Sequence, residues 1–276
     1  MNYRHAFHAG NFADVVKHLA LVACLLHLRR KEAPFAVIDT HAGRGAYDLE
    51  GAEATRTGEA ANGIGRLSAL EGEGALAAYL ALARGREIYP GSPLIAAALL
   101  RPQDHLVAIE KHPEDVALLK SALAGIRQAR VEEGDGYRRL AALLPPPERR
   151  GLVLIDPPFE DAAEFAAEAE ALRTALKRFA TGIYLLWFPI KSLAEANAFT
   201  GEVLNAGVKK ALRIDIDLGA PVRVPGEKDR LAVAGLIVVN PPFGLAEEMR
   251  AHLAAVAPRL ADGARSEVRW LAGEAE

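Results

Sequence analysis

The sequence predicts an α/β fold built on an open, mostly parallel sheet. Short runs rich in aliphatic and β-branched residues alternate with longer stretches of helical periodicity, which is the rhythm of strand–helix–strand crossovers. Several of those runs end on an acid beside a glycine or proline turn, as 35–39 does at Asp39 and 151–155 does just before Asp156. A length of 276 residues, 51% hydrophobic and 25% charged, suits one large α/β domain, or a domain with a sizeable insertion.

Taken in order, the stretch 12–28 is apolar nearly all round, so it forms a helix that is buried or docked. Strand 35–39 follows. A plain crossover to the next strand, 106–110, needs about a dozen or more residues, and 45–105 is far longer. We read 45–105 as a small, Gly/Ala-rich, helical subdomain inserted beside the site, leaving 1–44 and 106–276 as the main domain. Within it, Tyr89-Pro90-Gly91-Ser92-Pro93 reads as a helix start, with Ser92 as N-cap and Pro93 as the first helical residue. Next come a weak strand at 129–133 and strands at 151–155, 182–188, 211–216 and 231–239. Helical patterns occupy 113–123, 161–179, 193–206 and 245–260. Glycines and prolines within 216–231 suit a hairpin that inserts the last strand antiparallel.

Composition sets limits on function. The single cysteine, Cys24, lies in an apolar stretch, so there is no disulfide framework and no thiolate zinc site. The first residues are polar, and the apolar run 19–28 is too short to span a membrane. These features predict a cytoplasmic protein without a membrane segment. His5 and His8 lack a carboxylate or cysteine at ligand spacing, so no metal is expected. A net charge of −3 means that any nucleic-acid surface is a local patch; Arg4, the cluster Arg29-Arg30-Lys31 and the pair Arg149-Arg150 are the basic candidates.

The most informative motif is Asp156-Pro157-Pro158-Phe159, directly after the apolar run 151–155. Two prolines stop the strand and cannot donate backbone hydrogen bonds, which leaves nearby carbonyls available to accept. A carboxylate, a free carbonyl and an aromatic face together can hold an exocyclic amine and the planar ring that bears it. The motif resembles the signature of amine-directed, S-adenosylmethionine-dependent methyltransferases. A second copy, Asn240-Pro241-Pro242-Phe243, follows 231–239. If the last strand is antiparallel, this copy emerges at the opposite edge, so topology selects Asp156.

A nucleotide loop is also present. Strand 35–39 ends in Asp39-Thr40-His41-Ala42-Gly43-Arg44-Gly45, with glycines two apart, and a third fingerprint glycine of the dinucleotide pattern is absent, since Asp48 stands there. Glu110, at the end of the next strand, can hydrogen-bond ribose hydroxyls. Asp135, in Gly134-Asp135-Gly136, can take an adenine amine. Asp39, Glu110, Asp135 and Asp156 thus end four successive strands and line one crevice.

At this point the chain resembles a known family, the bacterial 23S ribosomal RNA adenine-N6 methyltransferases of the RlmJ type. The residues that carry the likeness are Tyr3-Arg4-His5-Ala6-Phe7-His8-Ala9-Gly10-Asn11-Phe12-Ala13-Asp14-Val15-Val16-Lys17-His18, with Asp39-Thr40-His41-Ala42-Gly43, Tyr89-Pro90-Gly91-Ser92-Pro93-Leu94-Ile95-Ala96 and Arg178-Phe179-Ala180-Thr181-Gly182-Ile183-Tyr184. The resemblance implies a class I, Rossmann-like S-adenosylmethionine-dependent methyltransferase sheet with an inserted helical subdomain. It implies cofactor contacts from Lys17, His18, His41, Ser92, Glu110, Asp135 and Gly136, beside Asp39. It further implies catalysis by Asp156 with Pro157 and Phe159, and an approach to the target adenine by Tyr3, flanked by Arg4 and His5. Phe159 departs from the tyrosine more usual in the family motif. Several of these residues also have plainer readings. Lys17 is placed to pair with Asp14 three residues away, His18 is placed to be a hydrogen-bonded core histidine, Ser92 to be a cap, and Tyr3 to anchor a terminus.

The expected chemistry is direct displacement. The adenine leaves its stack at a cost of about a few kcal/mol, and its amine, held by Asp156 and the Pro157 carbonyl, attacks the sulfonium methyl. The substrate is expected to be a small 23S ribosomal RNA hairpin or loop and the enzyme a monomer. Other readings are a DNA adenine or protein glutamine methyltransferase using the same motif, and a non-catalytic RNA-binding protein. An NAD-linked oxidoreductase fits worst, because the third glycine is missing.

Overall fold

The computed structural model describes residues 5–85, 88–161, 163–219 and 231–274. A 3-10 turn, His5–Phe7, leads into α1 (Phe12–Arg29), and β1 (Ala36–Asp39) follows. The next segment holds β2 (Ala46–Asp48), α2 (Ala52–Thr57), α3 (Glu59–Asn62), a second 3-10 turn at Ile64–Leu67, α4 (Gly74–Ala83), β3 (Ile88–Pro90) and α5 (Ser92–Ala98). Beyond it come β4 (His105–Glu110), α6 (Pro113–Ala122), β5 (Ala129–Glu133), α7 (Gly136–Leu143), β6 (Gly151–Ile155) and α8 (Ala163–Arg178). The last elements are β7 (Ile183–Pro189), α9 (Leu193–Asn205), β8 (Ala211–Asp217), β9 (Val233–Val239), α10 (Leu245–Leu260) and β10 (Arg265–Ala272).

Eight strands form one sheet in the order β10-β8-β9-β7-β6-β1-β4-β5. The five strands from β7 to β5 in that order are parallel, and β9 and β10 pair antiparallel with their neighbours. Every residue of β1 and β6 is buried, as expected of central strands covered on both faces. Alternation along β1 sorts the core: Val37 packs with the side that holds α1, α4, α5 and α10, and Ile38 with the side that holds α7, α8 and α9. The all-round apolar character of 12–28 is explained by this placement, since α1 packs on the sheet and is flanked by α4, α5 and α10.

The sheet agrees with the expected strands and adds one. β10 was not foreseen, because only Val268 in Arg265–Ala272 is buried and Arg265, Glu267 and Arg269 put charges along the strand. Such a strand covers the sheet edge and carries no apolar alternation to betray it. The connection expected to form a hairpin lies largely at 220–230, outside the described residues; β8 and β9 on either side pair antiparallel, Asp217 opposite Val233. Ser92 is not the cap of α5. Gly91 occupies that position, and the Ser92 hydroxyl instead donates to Asp39 Oδ2 at 2.6 Å.

The basic pairs also lie elsewhere than expected. Arg29-Arg30-Lys31 closes α1 and Arg149-Arg150 precedes β6, which puts both at the edge where the parallel strands begin. There the Arg150 guanidinium donates to the carbonyls of Leu28 and Ala33, and Arg101 donates to those of Lys31 and Ala33. These contacts fasten the loop before β1 at the end of the sheet away from Asp39 and Asp156.

Close backbone approach fixes two junctions. A Cβ on Gly63 would sit 2.0 Å from the Gly10 carbonyl, so the second 3-10 turn lies directly against the turn before α1. A Cβ on Gly136 would sit 2.1 Å from the Thr40 carbonyl, which presses the start of α7 onto the loop after β1. Gly136→Ala is therefore expected to lower stability by about 1–3 kcal/mol. Gly201→Ala, inside α9 with no atom within 4 Å of the added Cβ, is expected to raise it by about 0.5–1 kcal/mol. Urea titrations of both variants check the pair, and equal effects would show that neither contact nor helix propensity is at work.

Candidate active site

The carboxyl ends of β1, β4, β5 and β6 open into one cavity. Its walls include Lys17, His18, His41, Gly43, Ser92, Glu110, Asp135, Gly136, Tyr137, Asp156, Pro157 and His5. Asp39 lies immediately behind it, buried and bonded to Ser92. The topology thus gathers the residues nominated from four strand ends, from α1 and from α5.

Its floor is an ionic chain. The Lys17 ammonium, 4% exposed, donates to Asp14 Oδ1 at 2.8 Å and to Asp156 Oδ2 at 2.5 Å. Burial works to strip its proton, but the two carboxylates outweigh this and raise its pKa. Asp14 accepts in addition from the Gly10 N–H at 2.9 Å and from His5 Nε2 at 3.0 Å. Burial opposes the ionisation of Asp14, yet the positive groups around it hold its carboxyl well below the usual range. Both readings of Lys17 are therefore realised: it pairs with its helix neighbour and it reaches the site.

The remaining groups divide by charge state. Burial, joined by repulsion from Asp156 and opposed by the Ser92 hydroxyl, raises the Asp39 carboxyl to about 7. Burial lowers His18 to about 3, against the pull of Asp14, and His41 to about 4, against Asp156 and Asp135, so both rings are neutral. His41 Nδ1 lies 2.8 Å from the Thr40 hydroxyl, and His18 Nδ1 lies 2.8 Å from the Tyr89 hydroxyl. Glu110 accepts three backbone N–H groups, from Gly43, Lys111 and His112. Asp135 caps α7 through the Arg138 N–H at 3.2 Å and takes Lys111 Nζ at 3.3 Å. Burial disfavours its charge, and those two donors still keep its pKa below the usual value.

The Asp156 loop is only partly in the cavity. Asp156, Pro157 and Pro158 line it, whereas the Phe159 ring is 8% exposed and packs on Phe165 and Trp187 at centroid distances of 4.7 and 5.7 Å. Phe159 has a φ of 48°, a left-handed backbone that turns its ring into the core beneath the loop. Tyr47 and Tyr137 are the tyrosines at the wall, and the Tyr137 hydroxyl donates to Glu164 Oε2 at 2.8 Å. Tyr3 and Arg4 lie outside the described residues. Asn240 is at the other edge: Val239 stands opposite Tyr184, near the start of β7, while Ile155 stands opposite Leu186. Its amide donates to the carbonyls of Ala180 and Gly182 at 2.9 and 2.8 Å, a fastening of the turn before β7.

Several contributors were not singled out from sequence as site residues. Asp14 was noticed solely as a partner for Lys17. Tyr137 follows the strand-end pair Asp135-Gly136, a place where an aromatic residue could have been suspected. Glu168 was readable as a charge on the apolar stripe shared with Leu172 and Ala175. It is fully buried with neither carboxyl oxygen bonded among the described residues, and burial, with the nearby charges of Asp156 and Glu164, raises its pKa well above the usual value. It is a neutral acid beneath the site.

The donor set suits a nucleoside that carries hydroxyls, an amine and a positive charge. The walls present mostly acceptors, and the cationic side chains Lys17 and Lys111 are committed to carboxylates, which leaves little to hold a pyrophosphate. Among the described residues no group of three or more His, Cys, Asp or Glu is placed to hold a metal, and no helix is long and apolar enough to cross a membrane.

Comparison with known proteins finds relatives that match most of the chain. A family model described as "Ribosomal RNA large subunit methyltransferase D, RlmJ" matches residues 32–272. A ribosomal RNA large subunit methyltransferase J from Escherichia coli is 41% identical over 256 residues, 90% of this chain and 90% of the relative. The protein of the same name from Haemophilus influenzae is 38% identical over 258 residues, 91% and 90% of the two chains. A crystal structure from Legionella pneumophila superposes with a TM-score of 0.84 at 31% identity, covering 95% of this chain and 98% of its own. A probable spermidine synthase from Corynebacterium glutamicum, at 12% identity and a TM-score of 0.51 over 96% of this chain and 77% of its own, shares the fold alone.

Two predictions follow from the charges. A carboxyl with a raised folded pKa binds more protons folded than unfolded between its ordinary value of 3.8 and about 7, so Asp39 costs stability increasingly as pH rises through that window. Asp39→Asn is expected to match the wild type near pH 4 and to exceed it above pH 7 by about 1–3 kcal/mol in thermal melts. A difference that does not vary with pH would refute this. Lys17→Met strands two carboxylates and is expected to cost about 3–5 kcal/mol. Adding Asp14→Asn should recover part of that loss in the same melts, and strict additivity of the two changes would argue against the shared ion pair.

Proposed function

The chain belongs to the RlmJ family of ribosomal RNA large subunit methyltransferases, and from that premise we propose that it methylates the exocyclic N6 amine of an adenine in 23S ribosomal RNA, using S-adenosylmethionine. The observation that carries this reading is the presence, in one cavity, of the Asp156-Pro157-Pro158 loop and the strand-end acids Glu110 and Asp135. The fold is the class I, Rossmann-like S-adenosylmethionine-dependent methyltransferase sheet, in which β9 stands antiparallel between β7 and β8.

Lys17, His18, His41, Ser92, Glu110, Asp135 and Gly136, with Asp39 behind them, would hold the cofactor. S-adenosylmethionine supplies an electrophilic methyl group on a sulfonium sulfur. The acceptor-rich wall favours that cation, and Gly136 lets the backbone of α7 close against the loop after β1.

Asp156 acts on the acceptor amine. Its Oδ2 is anchored by Lys17, while Oδ1 has no partner among the described residues and is available for an amine N–H. The Pro157 carbonyl, in a loop whose two prolines offer no N–H, takes the second N–H. Held by two acceptors, the nitrogen keeps its lone pair for attack, and positioning with fixed charges provides most of the acceleration. The proton left on nitrogen after transfer passes to Asp156 Oδ1 and on to solvent.

Phe159 acts from below, as the packed support of the loop, and Tyr137 and Tyr47 are the tyrosine rings at the cavity wall. We assign substrate contact to His5, with Tyr3 and Arg4 just before it. His5 is tied through Asp14 and Lys17 to Asp156, a chain by which docking of the amino-terminal segment bears on the catalytic carboxylate. The site is assembled within one chain, which suits a monomer acting on a small RNA hairpin or loop in the cytoplasm, where splayed bases are read by stacking and edge contacts.

Methyl transfer from labelled S-adenosylmethionine to unmodified 23S ribosomal RNA, read as nucleosides by mass, tests the proposal. The wild type should yield N6-methyladenosine. Asp156→Ala should lose at least about 10²-fold in turnover, whereas Asn240→Ala should lower stability and leave turnover unchanged. Label in DNA or protein but not in RNA would redirect the assignment to another acceptor.

A further inference from the structure

Of the four histidines that line the cavity, His18 and His41 are held neutral by burial, and the hydroxyls behind these two are few enough for their hydrogens to be counted. His18 Nδ1 contacts the Tyr89 hydroxyl at 2.8 Å, and that oxygen contacts the Tyr79 hydroxyl at 3.0 Å. Tyr79 and Tyr89 are both fully buried, and Tyr79 has no other hydrogen-bond partner among the described residues. If His18 Nδ1 carried the hydrogen, Tyr89 would pass its own hydrogen to Tyr79. The Tyr79 hydroxyl hydrogen would then be buried without an acceptor, at the cost of a desolvated donor. In the opposite direction every hydrogen is used. Tyr79 donates to Tyr89, Tyr89 donates to His18 Nδ1, and the ring hydrogen sits on Nε2.

His41 gives the reverse result. The Thr40 hydroxyl lies 3.0 Å from the Leu154 carbonyl and 2.8 Å from His41 Nδ1. A carbonyl can only accept, so the single hydroxyl hydrogen goes to Leu154 and the oxygen must accept from His41 Nδ1–H. Were the hydroxyl to donate to the ring instead, two oxygens 3.0 Å apart would face each other with no hydrogen between them in a buried place. His41 Nε2 therefore carries a lone pair.

We infer that two of the cavity histidines are fixed as opposite tautomers, His18 by the Tyr79–Tyr89 hydroxyl pair and His41 by Thr40, so that His18 offers an imidazole N–H donor and His41 an imidazole acceptor. Tyr79, Tyr89 and Thr40 are positioning residues. A ligand group opposite His18 must accept a hydrogen bond, and a group opposite His41 must donate one. Burial of both rings, which holds them neutral, keeps the two nitrogens distinct, since an imidazolium would donate from both sides. The relay also gives 45–105 a part in the site, because Tyr79 lies on α4 and Tyr89 on β3.

The inference rests on the reading of this cavity as the methyl-donor site, and the two are separable by experiment. In the full chain at neutral pH, long-range 15N–1H correlation reports the tautomer of each of the eight histidines, with His18→Gln and His41→Gln used for assignment. The expected spectrum shows His18 protonated at Nε2 alone and His41 at Nδ1 alone. Protonation of His18 at Nδ1, of His41 at Nε2, or of either ring at both nitrogens would overturn the inference. Tyr89→Phe should disturb the tautomer of His18 and not that of His41, and Thr40→Val the reverse. An unmoved tautomer in either variant would overturn the role of that hydroxyl. Calorimetry with S-adenosylhomocysteine should show each variant weaker by about 3- to 10-fold, the loss of one ordinary hydrogen bond. A wild type with the stated tautomers that binds no S-adenosylhomocysteine would uphold the tautomers and reject the cofactor reading.

Discussion

A lysine buried between two aspartates organises this site. Removing an ammonium from water costs several kcal/mol, and only well-placed carboxylates offset that cost. Lys17 has two, and they come from distant parts of the chain: Asp14 one turn earlier on α1, and Asp156 at the end of β6. The pairing requires that α1 begin at the carboxyl edge of the sheet, which is why the helix runs back along the strands and ends beside Phe35 and the arginines of the opposite edge. Asp14 extends the constraint outward. By accepting from His5 and the Gly10 N–H, it fixes the segment before α1, and that segment in turn rests on α3 and the turn after it through Glu59 and Gly63. The buried charge therefore sets the position of the amino-terminal segment as well as that of the Asp156 carboxylate.

The strand ends were legible because a parallel sheet leaves a strong local trace. Asp39, Glu110, Asp135 and Asp156 each follow an apolar or β-rich run, and a parallel sheet aligns the ends of its strands. What sequence could not supply was the occupation of those acids. Glu110 holds two N–H groups of its own loop and that of Gly43 in the loop after β1, Asp135 caps its own helix, and Asp39 is a buried partner of Ser92. An acid at a strand end thus serves the loop first and presents its remaining lone pairs to a ligand. Ser92 was legible as a residue at a helix start, but its hydroxyl turned to the nearer buried carboxylate and left the cap to Gly91.

The misplacements share a cause, which is that side-chain direction depends on long-range packing. Phe159 was expected to face a flat ring because the motif places an aromatic residue there. The left-handed backbone at that residue and the cluster of Phe165, Trp187 and Phe199 around it draw the ring into the core. Arg29, Arg30, Lys31, Arg149 and Arg150 read as a basic surface, yet chain direction puts them at the far edge, where Arg150 secures carbonyls. β10 escaped notice because an edge strand that buries one side chain has no pattern to show. Glu168 and the Tyr79–Tyr89 pair are further cases. Their meaning lies in what surrounds them, and that is set by α7, α4 and β3 packing against other elements.

Topology also explains how two copies of one motif take different roles. β6 and β9 both end in an acid or amide followed by two prolines and phenylalanine, so local chemistry treats them nearly alike. Their difference is direction. β6 runs with its neighbours and delivers Asp156 to the edge where Glu110 and Asp135 also emerge. β9 runs against β7 and delivers Asn240 to the edge where β7 starts. There the side chain finds two carbonyls in place of a cavity, and an amide suits that position better than a carboxylate, because only the amide can donate. At Asp156 the demand is reversed, since the Lys17 ammonium requires an acceptor. The single change from Asp to Asn between the copies thus follows from what each edge of the sheet presents to the side chain.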